Sequence, residues 1–318
     1  MFRDWPLTHL REVKMIRSYS VTTDILSYKR CRRQYGFFNV RGYRSSSATQ
    51  RYFGTMVHDV LDQLYRMYKK TKRLPDGREV VDCVEKAHVR LIQSGVRAVY
   101  TVQQKEQIVT LIRRFLELAG QPFFANIRET EYTLERSMDG DGAPDFVLEG
   151  IVDVLAGAVS HALGLEMSRS TTGNDVEIWD YKSGEMPAAD SQLMADYQYQ
   201  MNVYAELYYQ QTGIYPARCV LMFIGELNND RLYNRCRADI RELRHILHVI
   251  HPSDEQIGRA MTDFRQTVAC IEGEKQLPYA TQWQAPNHDV DRDTCIACEL
   301  RYHCPKFSDR DRHRREPL

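Results

Sequence analysis

No apolar run in this chain approaches the roughly 18 residues that a membrane-crossing helix requires, which excludes a transmembrane span. No signal-peptide pattern opens it and no internal repeat divides it. A Gly-x4-Gly-Lys-Ser/Thr phosphate loop is missing as well, so any step driven by nucleotide hydrolysis belongs to another protein. Net charge is also absent. The 43 Lys and Arg offset 43 Asp and Glu, which taken alone argues against a polyanionic partner.

The distribution of charge reverses that reading. Residues 1–73 hold 16 basic and 5 acidic residues, while the remainder holds 27 and 38. Such polarity predicts a basic face suited to a phosphate backbone, with acidic residues elsewhere for metal binding or a protein partner. The tail Arg310-x-Arg312-His313-Arg314-Arg315 is expected to be disordered and able to touch nucleic acid.

Eight cysteines in a long, charged chain fit a reducing cytosol with metal-bound thiolates better than a secreted disulfide scaffold, so a cytoplasmic location is expected. Four of them form a pattern. Cys31 stands alone, and Cys295-x2-Cys298-x5-Cys304 follows some 264 residues later. This arrangement asks the fold to bring its two ends together around one metal centre. Thiolates suit zinc as well as iron–sulfur clusters, but zinc ribbons more often pair two Cys-x2-Cys knuckles, which favours a cluster. Cys83, Cys219, Cys236 and Cys270 are scattered and read as small core or surface residues.

The hydroxyl run Ser20-Val21-Thr22-Thr23-Asp24 predicts a helix start, and that helix, over about 20–35, carries Cys31 and Tyr35. A second helix is expected from near Gly54, with an apolar face of Met56, Val57, Val60, Leu61 and Leu64 beside His58, ending at Lys69–Arg73. Residues 79–125 read as two or three more helices. Strands are expected over 127–136 and 146–155, joined through the turn signal Asp139-Gly140-Asp141-Gly142. A loop over 156–175, a strand over 176–182, a helix over about 189–211 and a central strand over 217–224 follow. A short strand near Leu232 and a helix over about 253–273 lead into the cysteine cluster.

The whole is one domain of α/β, mixed α+β, class. It comprises N-terminal helices (18–73), a helical insert (79–125), a core (127–225), a helical region (226–290), the cysteine cluster (291–306) and a basic tail (307–318).

Chemistry concentrates in the core. Asp180 and Lys182 flank Tyr181 on one strand, so they project to the same face. If the strand ending at Asp153 pairs with it, two carboxylates and an ammonium share a pocket. Hard Mg²⁺ or Mn²⁺ is held by such carboxylates, and phosphodiester hydrolysis is the chemistry they serve together. Asp-x-Lys alone is an ordinary strand-end ion pair, and a lone His58 an ordinary core histidine. Gln200-x3-Tyr204 places an amide and a phenol on one helical face, where they can brace the lysine.

Taken in order, His58, Gly150-x2-Asp153, Asp180-Tyr181-Lys182 and Gln200-x3-Tyr204, bracketed by Cys31 and Cys295-x2-Cys298-x5-Cys304, resemble the PD-(D/E)XK nucleases. More narrowly they resemble the iron–sulfur members of the RecB-like branch, which include CRISPR-associated nucleases and the nuclease parts of helicase–nucleases. The likeness runs from about residue 20 to 306.

It implies a restriction-endonuclease-like core sheet flanked by helices. His58, Asp153, Asp180 and the carbonyl of Tyr181 would hold Mg²⁺ or Mn²⁺, Lys182 would serve the attacking water, and Gln200 and Tyr204 would support the site. Cys31, Cys295, Cys298 and Cys304 would ligate a 4Fe-4S cluster that pins the chain's ends. The implied substrate is single-stranded DNA or an opened duplex end, with a helicase or ATPase as partner in repair, CRISPR adaptation or phage defence. Tyr28, Tyr35, Phe37, Phe38 and Tyr52 are candidates to stack on bases.

Two departures stand out. Arg32 follows the first cysteine where the family often has proline, and the 156–175 segment is long. Two other readings stay open, a catalytically silent binding scaffold and an RNA-directed nuclease.

Overall fold

A computed structural model describes residues 17–43, 49–96, 100–139, 145–163, 175–286, 290, 292–296 and 298–306. Strand β1 (Arg17–Ser20) opens it, followed by a π-helical turn Val21–Leu26, helices α1 (Ser27–Arg30) and α2 (Arg32–Tyr35), and a second π turn Gly36–Val40. The helical layer α3 (Thr49–Thr71), α4 (Gly77–Gln93) and α5 (Thr101–Asn126) comes next. The core is β2 (Ile127–Met138), β3 (Phe146–Gly157), α6 (Val159–Ala162), β4 (Val176–Tyr181), α7 (Gln192–Thr212) and β5 (Arg218–Met222). After it come α8 (Asp230–Ala238), β6 (Leu247–Ile250), α9 (Asp254–Gln276) and α10 (Arg292–Ile296). Among the described residues no helix is long and apolar enough to cross a membrane.

The sheet runs β1-β3-β4-β5-β6, with β2 on the other side of β3. Two strands share one edge of β3. Parallel β1 covers Phe146–Glu149, and antiparallel β4 covers Val154–Gly157. Between them, among the described residues, Gly150–Asp153 has no strand partner on that edge. β2 pairs antiparallel along nearly the whole of the opposite edge.

Side-chain alternation slips at the same place. Leu148 and Val152 pack toward α7 and α9, whereas Val154 and Ala156 join the layer of α3–α5. Residues two apart on a regular strand face one way, so the strand changes frame at Asp153. Across the hairpin, Glu131 takes up the irregularity with a left-handed φ of +48°, a conformation that non-glycine residues rarely hold.

The N-terminal helices and the segment after α9 meet over α9. Lys29 pairs with Asp263 at 2.8 Å, and Arg32 with Glu274 at 2.9 Å. Trp283 is fully buried, with φ +58°, and its backbone N–H donates to Glu274. Its indole fills the space beside Gly36 so closely that a Cβ there would lie 2.0 Å from the ring.

Most expected elements are present, with four corrections. The first helix is not continuous over 20–35: it breaks at Cys31, which is extended at φ −160°, ψ 103°, and a further turn carries it to Val40. The second helix begins at Thr49, so His58 lies well inside it rather than at its start. No strand forms near Leu232. Asn229 caps α8 there through bonds from Arg231 and Leu232 N–H, and the strand comes later as β6. Tyr35 and Tyr52 are 1% and 0% exposed, so neither can stack on a base. The turn at 140–142, most of the 156–175 segment and the basic tail lie outside the described residues.

Gly36→Ala is therefore expected to lower stability in urea denaturation by about 1–3 kcal/mol through overpacking. Gly273→Ala on α9, where no atom lies within 4 Å of the added methyl, should leave stability unchanged or raise it. Equal effects at the two positions would contradict the Trp283 contact.

Candidate active site and cysteine cavity

The unpaired stretch of β3 is where the predicted residues converge. Beyond Trp179, β4 leaves β3, and the Tyr181 N–H donates instead to Asp153 Oδ2 at 2.7 Å. A side chain thus replaces the missing strand bond. Asp153 Oδ1 meets His58 Nδ1 of α3 at 3.0 Å. The His58 ring stands edge-on to Tyr181, with centroids 6.0 Å apart.

Asp180 and Lys182 do share a face, as their spacing predicts, and form an ion pair. Asp180 is only 4% exposed. Lys182 Nζ donates to Gln200 Oε1 at 3.1 Å, and Gln200 Nε2 donates to the Tyr204 hydroxyl at 3.0 Å. That hydroxyl accepts from the Ile151 N–H, one of the amides left open on β3. Gly150 is needed because a Cβ there would lie 2.6 Å from the Tyr204 ring.

Two neighbours were not read from the sequence. Tyr197, one turn before Gln200, places its ring 4.3 Å from Lys182 Nζ, a cation–π contact on the side of the ammonium. Glu131 sits opposite Asp153, because Thr130 pairs with Val154 and Tyr132 with Val152. Ligand atoms of His58, Glu131 and Asp153 all lie within 4.8 Å of one another. Glu131 is exposed, and the strand pattern does not set it apart from the other outward acids. Hairpin symmetry was the available signal, since strands folded about residue 142 set 131 against 153.

The electrostatics are those of crowded carboxylates without a counter-cation of sufficient charge. Burial raises the Asp180 carboxyl to about 6, with Asp153 adding to the rise while Lys182 and His58 oppose it. Burial and the Asp153 charge raise Glu131 to about 7. Burial disfavours the His58 imidazolium, but the charge and hydrogen bond of Asp153 outweigh it and hold the ring at about 9. Burial also works against the Asp153 carboxylate, yet His58 and Lys182 keep it below its ordinary value. Burial lowers the Lys182 ammonium, and Asp180 more than reverses that.

The four cysteines predicted to share a centre come to one place. Cys31, Cys295, Cys298 and Cys304 line one cavity, with Arg33, Gln34 and Leu300 among the other walls. Arg33 reaches across to the carbonyl of His303 at 3.3 Å. Among the described residues, no three of these sulfurs come within 4.8 Å of one another. Of the other cysteines, Cys83, Cys219 and Cys236 are buried and Cys270 is exposed.

A profile of the PD-(D/E)XK nuclease superfamily matches residues 20–305. A search of curated proteins finds no match.

The raised groups carry a pH signature. His58, Glu131 and Asp180 bind protons more tightly folded than unfolded, where ordinary values of 6.5, 4.5 and 3.8 apply. Stability from a raised group is present below its unfolded value and lost as pH rises through its folded value. Metal-free protein should therefore melt at a lower temperature at about pH 9 than at about pH 6, with His58 and Glu131 setting the fall. Mn²⁺ takes the place of those protons, so the gain in melting temperature on adding it should widen over the same range. Differential scanning fluorimetry reads both; a metal-free stability that rises with pH would refute the assignment.

Proposed function

The chain belongs to the PD-(D/E)XK nuclease superfamily, and on that premise we propose that it is a divalent-metal-dependent nuclease acting on single-stranded DNA or opened duplex ends. The observation that carries the reading is the convergence of His58, Glu131, Asp153, Asp180 and Lys182 from four separate elements onto the unpaired edge of β3. A binding scaffold has no need to hold two buried carboxylates and an ammonium together, because burying charge is costly.

The donor set fits a hard cation. Carboxylates of Asp153 and Asp180, the His58 imidazole and the Tyr181 carbonyl would hold Mg²⁺ or Mn²⁺, with Glu131 close enough to add a further oxygen. A bound divalent ion supplies charge to the phosphate and acidifies its water. Lys182 holds a positive charge beside that position and can orient the attacking water or offset charge building on the phosphoryl oxygens. Asp180, Gln200 and Tyr197 fix the ammonium from three sides, and Tyr204 fixes Gln200, so the group reaches the reaction already oriented.

The cysteine cavity fits a 4Fe-4S cluster. It brings together four thiols, one from the N-terminal helices and three from the last described segment, and a 1+3 split is less usual for zinc than two Cys-x2-Cys knuckles. Its position over α2 makes it a structural clasp, and its chemistry suits a reducing, cytoplasmic setting. RecB-like iron–sulfur nucleases are the branch these features match. A helicase or ATPase would supply the opened strands.

Lys182→Ala is expected to reduce cleavage of end-labelled single-stranded DNA with Mn²⁺ by about 10³-fold or more, with binding and melting temperature retained. EDTA should abolish cutting by the wild type. A variant that still cuts at near-wild-type rate would move the site elsewhere, and intact metal-loaded protein that binds but never cuts would favour the scaffold. Glu131→Gln should weaken Mn²⁺ binding in titration calorimetry and leave folding intact; unchanged affinity would remove Glu131 from the ligand set. Cys298→Ala, purified without oxygen, should lose the iron and the visible absorption of the cluster and melt lower. Retained iron would overturn the cluster assignment.

A further inference from the structure

The tyrosines first credited with stacking are mostly buried, which leaves open what on this face could meet a base. Beside the cysteine cavity lies another group of rings, which shares only Phe37 with those candidates. Phe37, in the turn after α2, packs against Tyr43 with centroids 5.5 Å apart. The Arg41 guanidinium lies between Phe37 and Tyr279, 4.9 Å from the first ring and 3.9 Å from the second. It is held there by a bond to the Tyr279 carbonyl at 3.1 Å. Arg33 covers Phe37 from another side at 5.2 Å and also lines the cavity.

Two features separate this group from ordinary packing. Tyr279 is 70% exposed and Tyr43 is 55% exposed, so each phenol ring presents most of its surface to solvent. A guanidinium on one face of Tyr279 fixes the ring at low entropic cost and leaves the opposite face open. The charge is unneutralised as well. Neighbouring Lys29 and Arg32 are paired with Asp263 and Glu274. Among the described residues Arg33 and Arg41 meet carbonyls and rings but form no ion pair with a carboxylate. Flat rings interleaved with free positive charge match an unpaired polynucleotide, whose bases stack on the rings while its phosphates meet the guanidinium groups.

We infer that Tyr43, Phe37, Arg41 and Tyr279 form a stacking platform for single-stranded nucleic acid beside the cysteine cavity, with Tyr279 the principal stacking face. The inference rests on the nuclease reading for its ligand but not on the catalytic residues. It assigns strand capture to a surface built jointly by the N-terminal helices and the segment following α9. Base stacking is tolerant of sequence, so the platform confers preference for unpaired strands without choosing among bases.

The test is fluorescence anisotropy of a labelled oligothymidylate, with full-length protein loaded with iron and with Ca²⁺ replacing Mg²⁺. Tyr279→Ala is expected to weaken binding about tenfold, as stacking of one base contributes about 1–3 kcal/mol. Tyr279→Phe should restore it, because the ring and not the hydroxyl stacks. Tyr43→Ala should weaken binding by a similar factor, and blunt duplex binding should change much less. Melting temperature should stay at the wild-type value, since both side chains are exposed.

Wild-type affinity in both alanine variants overturns the platform, as does an equal loss in Tyr279→Phe. An equal loss for duplex would also overturn it, by assigning these residues to backbone charge alone. The nuclease reading fails separately. If wild-type protein binds oligothymidylate through Tyr279 yet never cuts it with Mn²⁺, the platform stands and the enzyme does not.

Discussion

Everything in the site follows from one strand edge with two partners. β1 takes the first part of β3 and β4 takes the last part, and between them a few residues have no strand to bond. Buried backbone amides without partners are costly, so side chains must serve them. The Tyr204 hydroxyl meets Ile151, and Asp153 turns toward the amide of Tyr181. The frame of β3 changes at the same residue, and the left-handed Glu131 follows across the hairpin. A carboxylate is thereby held where main-chain bonds would otherwise close the sheet.

The charges placed there are mutually unfavourable until a cation is shared among them. Asp153 and Asp180 lie close enough that each alters the ionisation of the other, and the ordinary responses are a captured proton or a captured metal. His58 and Lys182 partly answer the excess. Because they come from α3 and from the end of β4, neither layer alone carries the whole set of residues. The helices α3–α5, which read as an insertion in the sequence, are part of the wall.

Much of this was legible in the sequence, because short-range spacing is a physical signal. Asp180 and Lys182 share a face through the period of a strand, and Gln200 and Tyr204 through the period of a helix; both pairs meet as expected. The four cysteines reach one cavity. What escaped depends on long-range packing. Glu131 is exposed like the other acids of its strand, and nothing local records that Asp153 lies opposite it. Tyr35 and Tyr52 look available for stacking, but one lies against Trp283 and the other hydrogen-bonds His88. Leu232 sits in a stretch whose cap, Asn229, weighs more than its β-favouring neighbours. β1 is too short to stand out from the helix that follows it.

The meeting of the chain's ends bears on the order in which the protein is made. Tyr35 and Gly36 emerge early, yet the indole that completes their pocket arrives only with residue 283, and the last thiol of the cavity later still, with Cys304. During synthesis the N-terminal helices therefore wait, partly apolar and with an unaccompanied cysteine, while the sheet forms behind them. β1 likewise waits for β3. Closure of these early and late segments, and with it the shape of the cysteine cavity, therefore comes after the sheet between them is synthesised. A chain that stopped before Trp283 would present a finished sheet beside an unfinished, partly apolar N-terminal face.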